Sequence, residues 1–287
     1  MKHLAGMCAG LCVLMSGGSM LAQDMSTWVM GPPKVLVVAR EYTKPGKDGA
    51  AHEKSESAFV SAVTAAKWPT HYLAVKSMSG RPRALFMFGY PTFEAWEKDN
   101  HALDKNPALA AELERADVAD GELLNEVQQS VYVYDPELSL HVHDVVHSRY
   151  FEIQHYKIKP GHRSEWLELV KLYVGGFAGI PNANWATYES YYGEDNGGIY
   201  IAISSMTSLA EDDASMNDDK KFADAIGPEK MKKLKELTAL CVDSVETNLF
   251  EFNPKMSYPA DEWIKADPFW KPKAVAAAKK SAAPATP

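Results

Sequence analysis

The sequence predicts an α+β protein in which one βαββαβ unit occurs twice along the chain. Three observations lead there. A divergent internal repeat links the two halves, each copy alternates strand-period with helix-period patterning, and the composition suits a packed core. With 287 residues, 46% of them hydrophobic and 24% charged, the chain has the length and balance of a globular protein of one large domain or two ordinary ones.

The repeat is carried by landmarks that keep their order. The apolar run "KVLVVAREY" leads into Lys44-Pro45-Gly46, and "RYFEIQHY" leads into Lys159-Pro160-Gly161. Downstream, "AKWPTHYLAVKSMSG" answers to "AGIPNANWATYESYYG", "YPTFEAWEKD" to "MTSLAEDDAS", and "VYVYDPELS" to "NLFEFNPKMS". The spacing drifts by a few residues between landmarks, as expected when insertions collect in loops.

In the first copy, period and punctuation predict a strand at about 34–41, a turn at Lys44-Pro45-Gly46, and a helix with Phe59, Val60 and Val63 on one face. Two strands follow, "HYLAVKSM" and "RALFMFGY", joined by turn residues 79–82. Thr92 starts a helical region reaching roughly Glu126, interrupted near Asn106-Pro107 and Asp120-Gly121, before a last strand "SVYVYD". The second copy repeats the series: strand "RYFEIQHYKI", a helix carrying Trp166, Val170, Tyr173 and Phe177, strand "WATYESYY", turn "GEDNGG", and strand "IYIAISS". A helical span then reaches about Val242, and strand "VETNLFEF" closes the unit.

Each unit is thus a split βαβ, or ferredoxin-like, arrangement: four strands with both helices on one face. The other face must be buried, and the equivalent face of the other copy is the economical partner, so the two sheets should close as an intramolecular barrel. The boundaries read as a signal segment at 1–23, repeat 1 at 34–139, a connector at 140–148, repeat 2 at 149–258, and a C-terminal extension at 259–287 ending in a disordered Ala/Lys/Pro tail.

The strands leading into "YTKPG" and "YKIKPG", with the segments ending "MFGYPTFEAWE" and "ISSMTSLAEDD", give the chain a resemblance to the dimeric α/β-barrel superfamily, which includes antibiotic-biosynthesis-type monooxygenases and NIPSNAP-like proteins. It spans about Lys34 to Ser257. The resemblance implies that the two halves stand in for two subunits. It leaves the chemistry open, because the superfamily hosts cofactor-free oxygenases, haem-binding and haem-degrading proteins, isomerases and simple binding proteins.

The ends and the charge narrow the setting. Lys2, the apolar stretch 4–15 and the small residues 16–22 have the three-part layout of a secretory signal, which predicts export to the periplasm or the extracellular space. The apolar run is too short to span a bilayer, so no transmembrane segment is expected in the mature chain. Cys8 and Cys12 fall in the signal, leaving Cys241 as a single thiol in an apolar, periodic setting, read as buried and inert. A formal charge of −8 without a basic stripe argues against nucleic-acid binding.

Candidate site residues come from strand alternation. With Phe151 and Ile153 read as helix-side core, Tyr150, Glu152 and Gln154 point into the barrel. On the strand "WATYESYY", Trp185, Glu189 and Tyr191 share a face and form an aromatic wall with one carboxylate, suited to a small apolar or aromatic ligand between the two sheets. The same aromatic content is ordinary strand composition. His141 and His143 are weak metal candidates in a segment that also reads as a plain connector, so no metal is assigned. Alternation puts His155 on the helix side, and no Cys-x-x-Cys-His motif for covalent haem is present. The cofactor stays open, and so does any catalytic residue. Three readings follow: an exported small-molecule-binding protein, a monooxygenase-like enzyme that is cofactor-free or uses non-covalent haem, and a structural protein with a closed barrel. The chain is either a monomer with an internal pseudo-dimer or a homo-oligomer.

Overall fold

The computed structural model describes residues 31–143, 145–194 and 198–271. The signal segment and the Ala/Lys/Pro tail lie outside the described residues. The first half runs β1 (Val35–Thr43), α1 (Ala50–Ala66), β2 (Tyr72–Ser77), β3 (Arg83–Tyr90), α2 (Phe93–Asp104), α3 (Pro107–Gly121) and β4 (Leu124–Leu140). The second runs β5 (Tyr150–Ile158), α4 (Arg163–Phe177), β6 (Trp185–Tyr192), β7 (Ile199–Met206), α5 (Ala210–Ser215), α6 (Asp218–Cys241) and β8 (Val242–Phe252). A short α7 (Asp261–Ala266) and a 3-10 turn at Pro268–Trp270 follow.

All eight strands form one closed antiparallel barrel in the order β1-β3-β2-β8-β5-β7-β6-β4. The strand order within the first half is β4-β1-β3-β2, and within the second β8-β5-β7-β6. The halves join at two seams. A short one pairs Val75–Ser77 with Phe250–Phe252, and a longer, irregular one pairs Val131–Leu140 with Trp185–Tyr192. Among the described residues every strand has a paired neighbour on both sides, which narrows the usual route to edge-to-edge association.

Local chemistry explains the element ends. Gly46 and Gly161 close the two Lys-Pro-Gly turns at φ of 74° and 86°, a region that side chains with a Cβ disfavour. Thr92 caps α2 by accepting from the Ala95 N–H at 3.1 Å, and Asn106 caps α3 by accepting from Leu109 N–H at 3.2 Å, with Pro107 in the first turn. Here the structure departs from expectation: the chain is helical only to Gly121, and β4 begins at Leu124. Glu126 is half-buried and Gln128 and Gln129 are exposed, yet all three pair with β1, so this end of the strand carries no apolar alternation to read.

Every strand contributes to the barrel interior. Leu36, Leu73, Met87, Tyr132, Phe151, Tyr188, Ile203 and Phe250 belong to a single buried cluster. The segment after β8 completes it: Trp263 and Trp270 are fully enclosed, and the Trp270 indole N–H donates to the Val146 carbonyl at 2.6 Å. Three further cores lie between the outer sheet face and the helices, and Cys241 is buried in the one belonging to the second half. Among the described residues no helix is long and apolar enough to cross a membrane.

Candidate functional site

The interior cluster decides which way β5 faces. Phe151 packs in the barrel against Phe252, and Ile153 packs against the same core, so Glu152 and Gln154 point outward toward α4 and α6. The expected assignment is therefore reversed. Both sheet faces are buried here, and a period of two separates two faces without saying which is inside. The dry interior took the apolar set, and the helix-facing side received the polar one. Tyr150 shares the outward face with its strand partners Met206 and Glu251 but lies outside the cavity described next.

That cavity measures about 550 Å³ and lies between the outer face of the second half's sheet and its helices. α4 supplies an apolar wall of Trp166, Val170, Tyr173 and Phe177, and the sheet supplies Glu152, Gln154, Trp185 and Thr187. Helical spacing on α4 aims these aromatic and aliphatic groups at the sheet. Close approach of α6 to α4 depends on Gly176, where a Cβ would come within 2.3 Å of the Phe222 ring.

The polar groups form ordered chains. Gln154 donates from its amide to Glu152 at 2.8 Å, and Tyr156 donates its hydroxyl to the Gln154 carbonyl oxygen. Trp185 is anchored by its indole N–H donating to the Leu138 carbonyl at 2.8 Å, and its ring stands edge-on to Phe177 at 5.8 Å. Glu189 stands beside the cavity. It accepts from the Tyr200 hydroxyl at 3.0 Å and from Arg163 Nη2 at 2.9 Å. Burial, with the Glu189 charge and hydrogen bond beside it, pushes the Tyr200 phenol well above its usual value. The acidic side chains Glu211, Asp212, Asp218 and Asp219 line the α5–α6 side of the cavity.

The expected site residues therefore divide. Glu152, Gln154 and Trp185 come together in one cavity, while Glu189 stands behind Tyr200 and Tyr191 is exposed at the end of β6 against Phe93. His141 and His143 are exposed in the connector, and the His141 ring contacts the Ala183 carbonyl. Neither lies in the cavity. Its lining contains no histidine among the described residues, so it provides no imidazole to ligate a haem.

The barrel mouth holds a different polar group. Arg40 of β1 and His155 of β5, each on the first strand of its half, both face inward and converge on Glu194 at 3.0 and 3.7 Å. The inward direction of His155 corrects its expected helix-side placement, for the same reason that Phe151 is inside. Arg40 also donates to Ser130, and the Tyr132 hydroxyl donates to Glu194 at 2.5 Å. Burial acts to raise the Glu194 carboxyl, but His155, Tyr132 and Arg40 hold it down to about 2. This cluster caps a cavity of about 220 Å³ at the barrel mouth, and the rest of the interior is filled by the apolar cluster. A ligand site between the two sheets, as expected from sequence, is thus largely occupied by the protein's own side chains.

No family model matches the chain, and no curated protein matches it. Solved structures do. An anthrone oxidase-like protein overlays with a TM-score of 0.50 at 15% identity, covering 77% of this chain and 92% of that one. A candidate monooxygenase from Fusobacterium nucleatum subsp. nucleatum ATCC 25586 gives a TM-score of 0.50 at 11% identity, covering 77% of this chain and 93% of the other. A chlorite dismutase from Candidatus Nitrospira defluvii gives 0.47 at 11% identity over 84% and 98% of the two chains. At these identities the likeness concerns architecture, and the chain has the α+β fold of the dimeric α/β-barrel proteins, with its barrel closed inside a single polypeptide.

Proposed function

We propose that the chain is an exported protein that holds a small aromatic or apolar molecule, neutral or cationic, in the cavity between the second half's sheet and its helices α4 and α6. The observation that carries this is the cavity itself. Its volume of about 550 Å³ falls within the usual range for small-molecule sites, and aromatic walls surround a few placed polar groups. The carboxylates of Glu152, Glu211, Asp212 and Asp219 disfavour an anionic ligand. The matching strand orders of the two halves support an origin as two tandem ferredoxin-like repeats. On that reading one chain supplies both halves of the barrel, and a second copy is not needed to close it.

The test is a fluorescence titration with neutral N-phenyl-1-naphthylamine and with its anionic relative 1-anilinonaphthalene-8-sulfonate. The neutral dye should saturate at one site per chain and bind at least about tenfold more tightly than the anionic one. Ala202 lines the cavity on β7, and Ala202→Phe should abolish saturable binding by filling the space. Undiminished binding by that variant would remove the cavity from the proposal.

A second reading, a cofactor-free oxygenase acting in the same cavity, is favoured by the fold shared with an anthrone oxidase-like protein and a candidate monooxygenase. Oxygen uptake measured with anthrone separates the two. Uptake proportional to protein concentration supports the oxygenase, and uptake no faster than the spontaneous reaction supports binding alone.

A further inference from the structure

The first half contains a buried polar cluster that the binding proposal does not use. Glu41 extends from the outward face of β1, His52 and Glu56 stand one turn apart on α1, and Asp120 lies at the end of α3. From His52 Nε2 the distances are 2.9 Å to Glu41 Oε2, 3.7 Å to Glu56 Oε1 and 3.7 Å to Asp120 Oδ2. One ligand-capable atom from each of the four residues lies within 4.8 Å of all the others. His52, Glu56 and Asp120 are each no more than 3% exposed.

Two features point to a missing positive charge. Glu56 Oε1 and both carboxylate oxygens of Asp120 are buried without a hydrogen-bond partner, and so is the nearby Tyr72 hydroxyl. Among the described residues, His52 is the only basic side chain paired with any of the three carboxylates. Buried carboxylates that lack donors carry a large desolvation cost unless protons or a cation neutralise them. The separations of 2.9–3.7 Å from His52 Nε2 lie around the roughly 3.0–3.4 Å between adjacent ligands about 2.1 Å from a tetrahedral or octahedral ion, and the wider pairs, up to 4.8 Å apart, would draw in on binding.

We propose that Glu41, His52, Glu56 and Asp120 bind one divalent first-row transition-metal ion. One imidazole nitrogen among carboxylate oxygens favours zinc, manganese or ferrous iron over calcium and magnesium, which prefer all-oxygen shells. Glu41 and Glu56 also line a cavity of about 320 Å³ walled by Phe59, Trp68, Tyr72 and Phe86, so a coordination position left open by the protein would face space for a small ligand. In this arrangement the two halves carry different devices in corresponding places: a pocket with an aromatic wall in the second, and a metal centre with an adjoining pocket in the first.

The experiment uses the untagged chain without residues 1–23, stripped with chelator and titrated with Zn²⁺, Mn²⁺, Co²⁺, Mg²⁺ and Ca²⁺ by calorimetry and metal analysis. One transition ion per chain is expected, with Mg²⁺ and Ca²⁺ binding at least about 100-fold more weakly. Glu56→Gln and Asp120→Asn should each weaken binding by about 100-fold or more while the metal-free variants stay folded, because each neutralises a buried carboxylate whose oxygens lack hydrogen-bond partners. If His52→Ala fails to fold, those two conservative variants carry the test. Absence of stoichiometric binding at 100 μM ion overturns the proposal, as does binding undisturbed by Glu56→Gln and Asp120→Asn. Binding lost instead on replacing His141 and His143 would place the ion in the connector and equally overturn it.

Discussion

Trp270→Ala tests whether the barrel interior is closed by the chain's own C-terminal segment, a closure that the proposed ligand site on the outer sheet face presupposes. Trp270 is fully buried, with Phe252, Trp263 and Phe269 ring centroids at 5.3, 5.1 and 5.0 Å, and its indole N–H donates to the Val146 carbonyl. Removing a buried Trp side chain costs about 3–5 kcal/mol in transfer and cavity terms, and loss of the hydrogen bond adds about 1 kcal/mol. Trp270→Phe keeps most of the apolar burial and loses the donor, so it should cost about 1–2 kcal/mol. Urea unfolding followed by circular dichroism reads both, with an unchanged denaturant slope as the sign that the native barrel persists. A loss below about 1 kcal/mol for Trp270→Ala would refute the closure argument, because the segment would then be resting on the barrel rather than completing its core.

The Glu194 carboxyl is held down to about 2 against its usual 4.5, so its contribution is present above the unfolded value and lost as pH falls from about 4.5 to 2. The contribution is about 3 kcal/mol at most, and Glu194→Gln should flatten that acid limb of the stability profile measured by urea unfolding. Gly176→Ala places a Cβ 2.3 Å from Phe222 Cε2 and 2.5 Å from Ile226 Cγ2. Overpacking of about 1–3 kcal/mol should outweigh the helix-propensity gain of about 1 kcal/mol, giving a lower thermal midpoint. Arg163 is itself exposed, so Arg163→Ala, which removes its contacts to Glu189 and the Tyr200 hydroxyl, should change stability by less than about 1 kcal/mol and leave dye binding within error.

Much of the barrel was legible because its signals are local. The two Lys-Pro-Gly turns, the Thr92 and Asn106 caps and the paired apolar strands mark the elements without reference to tertiary context. The plug was not legible: Trp263 and Trp270 sit beside a low-complexity tail, and nothing nearby in sequence says that a barrel end needs covering. The site was half legible. Strand alternation grouped Glu152 with Gln154, and Trp185 with Glu189, correctly as neighbours on one face, yet gave no means of telling which face was inside. A signal for the acidic cluster did exist. His52 and Glu56 fall on the same helical stripe as Val60 and Val63, and polar groups on a core-facing stripe ask for partners that only the fold brings, here Glu41 and Asp120.

The most direct test of the central claim is a crystal structure of the chain grown with N-phenyl-1-naphthylamine. Ligand density is expected against Trp166 and Tyr173 of α4, within reach of Gln154, with the barrel interior still filled by Tyr132, Tyr188 and Trp270. Density inside the barrel, with those side chains displaced, would contradict it.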